Sequence, residues 1–417
     1  MGRTARDSEP SSLDGDRRAG ALVVWSGARP HLSAVPVPRS GLVLGRDTLA
    51  DTGDDRLSRQ HARIGWNGTC FAVADLGSRN GTFVGGSLVA DGDVTALPPV
   101  VVRTGRTISV LCSDVARYAG ATVSTDGAVV GPTLRPSWDA IARAARAGLT
   151  LLVAGELGTG HAVAARTFHA ASGARGALVA IDCQAGAAAL TDDHLAAVGG
   201  GTLYLDELAL LDAAAQARLV RALDAGVRVV AATRKELRAE VQAGRVRDDL
   251  HERIARVEVR LPALRDRVED IPWLVAEAVR ASRLPAHPSL VEACLLRPWP
   301  GNVRELIGEV GRAAAAAVAA ARKAVRAEEL DGSAGQLLAS GESATLAPVP
   351  SSRPRSPTVP EHDAILDALR AEGGNVSRAA RRLGLSRSQL RRYLVKYPDA
   401  AELAGADALT DDEPSLS

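Results

Sequence analysis

Between Ala21 and about Cys112 the chain is a series of short apolar runs broken by Gly, Asp and Asn: ALVVW (21–25), GLVLG (41–45), CFAVADL (70–76), GTFVG (81–85) and RTISVLC (106–112). Many short strands with turn residues between them predict an all-β sandwich. The pattern changes near Val129. From there to about Pro262 the apolar runs TLLVAG, ALVAIDC, GTLYLDE and VRVVAAT alternate with stretches suited to helices. Continuous apolar runs suit strands covered on both faces, so this part predicts a parallel α/β sheet with crossover helices. Residues 263–330 are mostly helical and end in an Ala-rich stretch. Residues 331–360 (including SSRPRSPTVP) read as a flexible linker, 361–398 as two or three short helices, and 399–417 as an acidic tail poor in apolar residues. The expectation is a multidomain chain: a β module over 20–118, an α/β module with a helical lid over 129–330, and an all-α module over 361–398.

Charge sharpens this picture. Among 417 residues, 50 Lys and Arg balance 49 Asp and Glu, for a net charge of +1. That sum excludes a uniformly basic nucleic-acid coat but not a local basic module. Between Arg378 and Lys396 there are seven basic residues and no acid, whereas Asp399, Glu402, Asp407, Asp411, Asp412 and Glu413 follow. The longest apolar stretch, Ala313 to Ala321, falls far short of the ~18 residues of a spanning helix, and the polar N-terminus does not read as a secretory signal. A cytoplasmic protein with no membrane partner is expected. Cys70, Cys112, Cys183 and Cys294 are scattered without a CxxC pair, which fits reduced, buried thiols better than a disulfide frame or a zinc site.

In the β module, Gly45-Arg46 follows a strand, LSRQHARI holds Ser58, Arg59 and His61, and DLGSRNGTFVGG holds Ser78, Arg79, Asn80, Gly81 and Thr82. Arginine offers a planar fork that matches a phosphate dianion, and serine a neutral donor. Asn80-Gly81 is a strong turn signal. Together these clusters closely resemble the forkhead-associated (FHA) domain, a phosphothreonine reader, over about residues 21–115. The resemblance implies that Arg46 and Ser58 hold the phosphate, that Arg59, Ser78 and Arg79 supplement them, and that Asn80 clamps the peptide backbone. It implies that His61 braces the loop; Gly85 stands where the family often has Asn.

In the α/β module, GELGTGH (155–161) lies between the strand TLLVA and a helical run, the setting of a phosphate loop. Gly155, Gly158, Thr159 and Gly160 fit that pattern, but His161 and Ala162 stand where it wants Lys and then a hydroxyl or carboxylate. Neutral imidazole is a poor substitute for a permanent ammonium at the β- and γ-phosphates. GGTLYLDEL ends a strand with Asp206, suited to a magnesium–water contact, and Glu207, suited to activating water.

These motifs, with VRDDLHERIARVEVRLPALRDRVEDIPWL and WPGNVREL (299–306), resemble the central AAA+ domain of sigma-54-dependent transcription activators over about Val129 to Leu330. The resemblance implies ATP and Mg²⁺ as ligands, assembly into a homo-oligomer, and RNA polymerase sigma-54 as a partner. It makes Arg247 and Arg253 arginine fingers for a neighbouring subunit, Arg304 the second sensor, and places Thr233 in the first sensor region. Two departures weigh against the family's usual activity: the missing lysine, and the stretch between Cys183 and Gly200, too short for the GAFTGA loop that touches sigma factor. The ATPase is therefore expected to be inactive or weak.

The string GGNVSRAARRLGLSRSQL, within 361–398, reads as a helix-turn-helix and resembles the Fis-type DNA-binding domain that ends such activators. Asn375 and Ser386 are suited to cap the second and third helices. Arg387, Ser388, Gln389, Arg391, Arg392 and Lys396 are the candidates to contact double-stranded DNA. Three readings follow: a phosphothreonine-responsive DNA-binding regulator with a degenerate AAA+ domain, an active sigma-54 activator with atypical motifs, and a phospho-dependent scaffold.

Overall fold

The computed structural model describes residues 18–336, apart from 50–52, 91, 126 and 189, together with 362–382, 390 and 394. Ten strands form the first module: β1 (Gly20–Ser26), β2 (Arg29–Pro36), β3 (Leu42–Leu44), β4 (Ala62–Trp66), β5 (Phe71–Asp75), β6 (Thr82–Val84), β7 (Ser87–Leu88), β8 (Asp93–Ala96), β9 (Val100–Thr104) and β10 (Thr107–Cys112). They make two antiparallel sheets, ordered β2-β1-β10-β9-β6-β7 and β3-β4-β5-β8. Ala21, Val23, Val102 and Leu111 from the first sheet and Leu44, Ile64, Phe71 and Val73 from the second share the core between them. This is the expected sandwich.

The α/β part adds α1 (Arg135–Arg146), β11 (Leu151–Ala154), α2 (His161–Ala171), β12 (Leu178–Asp182), α3 (Asp192–Val198), β13 (Thr202–Asp206), α4 (Ala213–Asp224), β14 (Val229–Thr233), α5 (Leu237–Gln242), α6 (Asp248–Ile254) and β15 (Glu258–Arg260). Its five strands are all parallel, in the order β12-β13-β14-β11-β15. Strands β11, β13 and β14 are almost wholly buried, which accounts for their unbroken apolar runs. The carboxyl ends of β11, β13 and β14 carry the loops of interest, where open α/β sheets place ligands. The lid is α7 (Ile271–Val279), α8 (Pro288–Leu295) and α9 (Asn302–Ala319).

Strand β1 is buried at every position, although an antiparallel strand with one solvated face should alternate. Its second face is covered by the lid. Leu22, Val24, Val101, Ile108 and Val110 belong to one apolar cluster with Leu274 and Val275 of α7, Leu290 and Val291 of α8, and Val310 of α9. A register shift between Val23 and Trp25 breaks the alternation, so Val24 and the fully buried Trp25 both join this cluster. Arg103 of β9 adds a polar tie: its guanidinium stacks 3.7 Å from the Phe83 ring centre, and its Nε lies 2.5 Å from the buried Glu292 of α8.

The chain divides into two compact units, 1–338 and 339–417. In the second, α10 (His362–Ala371) and α11 (Val376–Arg382) are joined by a turn with positive φ at Gly373 and Gly374. The Asn375 side chain accepts from the Arg378 amide at 3.0 Å, capping α11. Ile365, Leu369, Val376, Ala379, Ala380, Leu390 and Leu394 close a small core. Leu383, Leu385, Ser386 and the acidic tail lie outside the described residues.

Candidate functional site

The loops of the β module that carry the phosphate candidates converge because short-range contacts leave them little freedom. A Cβ on Gly45 would meet the Arg59 carbonyl at 1.9 Å, so only glycine allows the chain to pass there. The Arg46 amide donates to the Ser58 carbonyl at 3.0 Å, which fixes the two phosphate candidates side by side. Fully buried His61 accepts from the Ser58 amide at Nδ1 (3.1 Å), so its Nε2 carries the proton and donates to the Gly81 carbonyl (3.2 Å). The Ser58 hydroxyl accepts from the Arg79 amide at 3.4 Å. Arg46, Arg59 and Arg79 are exposed, and no hydrogen bond or ion pair of their guanidinium groups is formed among the described residues.

Two sequence candidates are more engaged than expected. The Ser78 hydroxyl donates to Asp75 at 2.7 Å, beside Thr82 at 2.6 Å, which turns Ser78 inward as a loop brace. The Asn80 amide donates to the Arg56 carbonyl at 2.7 Å, linking the two loops. Sequence reasoning missed two organising carboxylates. Buried Asp54 accepts from the amides of Arg56 (2.9 Å) and Arg106 (2.8 Å) and from the Thr107 hydroxyl (2.8 Å), tethering the Ser58 loop to the sheet. Asp75 is pushed up by burial, but hydrogen bonds from Thr82, Ser78 and the Gly77 amide outweigh this and hold it below the usual carboxylate range. The signal for Asp75 was present, a carboxylate at a strand end three residues before a serine.

The phosphate loop leaves β11 at Ala154 and enters α2 at His161. Its outer side is tied to the lid. Fully buried Asn302, at φ +53°, donates to the Leu157 carbonyl (2.9 Å) and to Glu156 (3.2 Å), and accepts from the Leu264 amide (2.8 Å). The Val303 amide donates to the Gly158 carbonyl at 3.1 Å, and buried Arg267 donates to the Thr159 carbonyl at 2.8 Å. Arg265 forks onto Glu156 at 2.5 and 2.9 Å. A Cβ on Gly158 would meet the Gly301 carbonyl at 2.1 Å. These carbonyls are thus used up by the lid, and the loop stays open to backbone recognition on its other side.

A pocket of about 410 Å³ lies there, walled by Gly158, Gly160, His161, Asp206, Glu207 and Arg304 among others. A second pocket of about 310 Å³, lined by Val129, Leu134, Trp138 and Leu274, shares Gly160, Val163 and Val303 with it. A polar chamber beside an apolar one fits the phosphates and base of a nucleotide. At the start of α2 His161 is followed by Ala162, which offers no hydroxyl, and the Thr159 hydroxyl donates to the Glu156 carbonyl at 2.8 Å. His161 is 9% exposed. Burial, helped by Arg234 and Arg304 against Asp206, lowers its basicity.

Asp206 accepts from the Tyr204 hydroxyl at 3.1 Å. Glu207 sits at φ +61°, a strained position for a non-glycine residue, and pairs through Oε1 with Arg234 Nε at 2.6 Å. Thr233 is buried and spends its hydroxyl on the Lys235 backbone at 3.1 and 3.0 Å, so Arg234 is the residue from that loop that reaches the pocket. Arg247 and Arg253 lie outside the walls of this pocket. Arg247 pairs with Asp249 (2.7 Å) and Arg253 with Asp224 (2.9 Å), both at the surface near α6. Between Cys183 and Gly200 the described chain forms a 3-10 turn (Cys183–Ala188) and α3, whose N-terminus is closed by reciprocal bonds between Thr191 and His194.

The DNA-contact candidates Arg387, Ser388, Gln389, Arg391, Arg392 and Lys396 lie outside the described residues. Cys183 and Cys294 are buried, Cys70 and Cys112 half-buried, and all four are free thiols. No helix among the described residues is long and apolar enough to cross a membrane.

Three family models match the chain: the FHA domain at 42–110, the sigma-54 interaction domain at 138–264, and the bacterial regulatory protein, Fis family, at 359–397. The chain is 33% identical over 300 residues to the transcriptional regulatory protein ZraR of Klebsiella oxytoca, covering 62% of this chain and 66% of that one. It is 34% identical over 317 residues to the hydrogenase transcriptional regulatory protein HoxA of Bradyrhizobium diazoefficiens, covering 64% and 63%. It thus spans just under two thirds of the length of these curated relatives. Among solved structures it is similar to NtrX from Brucella abortus in complex with ADP, at 25% identity and a TM-score of 0.45, covering 66% of this chain and 69% of that one.

Proposed function

The chain belongs to the family of sigma-54-dependent transcriptional activators, with an FHA domain at its front, and on that premise we propose that it is a sequence-specific DNA-binding regulator controlled by a phosphothreonine signal. The observation that carries the control is the single apolar cluster shared by the FHA sheet and the lid. A peptide phosphate held by Arg46 and Ser58 bears on the loop that ends in β6. Phe83 of β6 stacks on Arg103, Arg103 pairs with Glu292 of the lid, and α9 of the lid presents Arg304 to the phosphate-loop pocket.

In this reading the AAA+ domain binds nucleotide without the usual remodelling of sigma-54. Gly155, Gly158 and Gly160 would cradle the phosphates, Asp206 would lie on the cation side of the site, and Arg304 would meet the terminal phosphate. The lysine-free loop and the compact 183–199 segment favour a relay or assembly role over turnover. Subunits would associate through the surface that carries Arg247 and Arg253, and the C-terminal helices would bind a two-fold DNA site in the cytoplasm.

ATP turnover by the purified chain, compared with Glu207→Gln, tests the central claim: the two should be indistinguishable from background. Turnover that Glu207→Gln abolishes would restore the active-activator reading. Titration with a phosphothreonine peptide tests the input, where Arg46→Ala should abolish binding with an unchanged melting curve.

A further inference from the structure

His161, Asp206 and Glu207 each offer a ligand atom within 4.8 Å of the other two. Zinc-class donors stand roughly 3.3 Å apart around a shared ion, so the set must contract to bind one. The residue is nine-tenths buried, and its Nε2, with almost no solvent access, has no hydrogen-bond partner among the described residues. A buried imidazole nitrogen left without a partner is costly, unless something else completes it. The surrounding charge also asks for a cation. Two carboxylates, Asp206 and Glu207, lie together here, and Arg234 occupies only Oε1 of Glu207. Arg304 is the other cation on this pocket, and Asp182 the other carboxylate.

We propose that His161, Asp206 and Glu207 form a three-ligand site for a divalent transition-metal ion of the zinc class, open on its fourth side to the phosphate-loop pocket. An imidazole nitrogen with two carboxylate oxygens suits Zn²⁺, Co²⁺ or Mn²⁺. It does not suit Mg²⁺, which demands oxygen ligands and octahedral geometry. Glu207 holds φ +61°, a strained backbone position of the kind that clusters at functional sites. The ion would stand near where the absent lysine would have placed its charge. The site needs neither nucleotide nor phosphopeptide, so it stands or fails apart from the function proposed above.

The test uses the full-length chain, stripped with chelator and free of any affinity tag. Zn²⁺ is titrated calorimetrically, and Co²⁺ by its visible absorption, both in millimolar Mg²⁺ and without nucleotide. A saturable equivalent that Mg²⁺ does not displace is expected, with the intense visible bands of low-coordinate cobalt. It should be lost in His161→Ala and in His161→Lys, which restores a phosphate-loop cation in the same place. His161→Gln, which keeps a polar side chain there, serves if either variant melts early. Binding that survives all folded His161 variants, or that Mg²⁺ displaces at equal concentration, overturns the proposal.

Discussion

Asn302 shows how much one amide can organise. It bonds to Leu157, Glu156 and Leu264, with no exposure, so it fixes the phosphate loop to the lid. Asn302→Ala should cost about 1–3 kcal/mol, read as a lower melting temperature, because the Leu264 amide would be left buried without a partner. An unchanged melt would mean that water replaces the amide. Asp75 makes a pH prediction. Its folded pKa lies below the unfolded value, so its stabilising effect is present above the unfolded carboxylate pKa and lost as pH falls through the folded one. Asp75→Asn should therefore flatten the acid limb of the stability curve and weaken phosphopeptide binding at neutral pH. At this scale the sequence was read well where chemistry is local: His61 as a brace, Asn375 as a cap. Ser78 and Thr233 were harder, because a hydroxyl in a loop says nothing about which way it turns until Asp75 and Lys235 are placed.

Among elements, β1 and α9 carry most of the meaning. The run ALVVW was legible as a strand, and its failure to alternate was the sign of a second cover. What covers it was not legible, since α7, α8 and α9 lie more than 150 residues further along the chain. The junction carries a partly buried ion pair, Arg103 with Glu292. Removing Arg103 leaves a buried carboxylate unpaired, and Arg103→Ala should destabilise the chain by about 1–3 kcal/mol, whereas the Arg103→Leu/Glu292→Leu double variant should recover part of that loss. If the junction relays the signal, the double variant should also uncouple phosphopeptide affinity from nucleotide affinity; coupling that persists would place the relay elsewhere.

For the molecule as a whole, the near-zero net charge hides a basic C-terminal segment, to which the proposed DNA binding is assigned. Deleting residues 361–417 should abolish binding to a mapped operator. Arg387→Ala or Gln389→Ala should relax base preference, and Lys396→Ala should lower affinity evenly across sequences. Equal losses on operator and random duplexes for all three would contradict base readout. The order of modules was legible because each carries its own period and motifs. That the first two share an apolar cluster was not, because it joins surfaces distant in sequence. That cluster has a consequence for inheritance. A recombination event that exchanged the FHA segment alone would set Leu22, Val24, Ile108 and Val110 against a foreign lid, or leave Leu274, Leu290 and Val310 bare to water. At roughly 1.5–3 kcal/mol for each large side chain uncovered, several such losses approach the whole stability of a domain. Sensor and lid are therefore expected to travel through descent as one unit, while the DNA-binding end remains free to be exchanged.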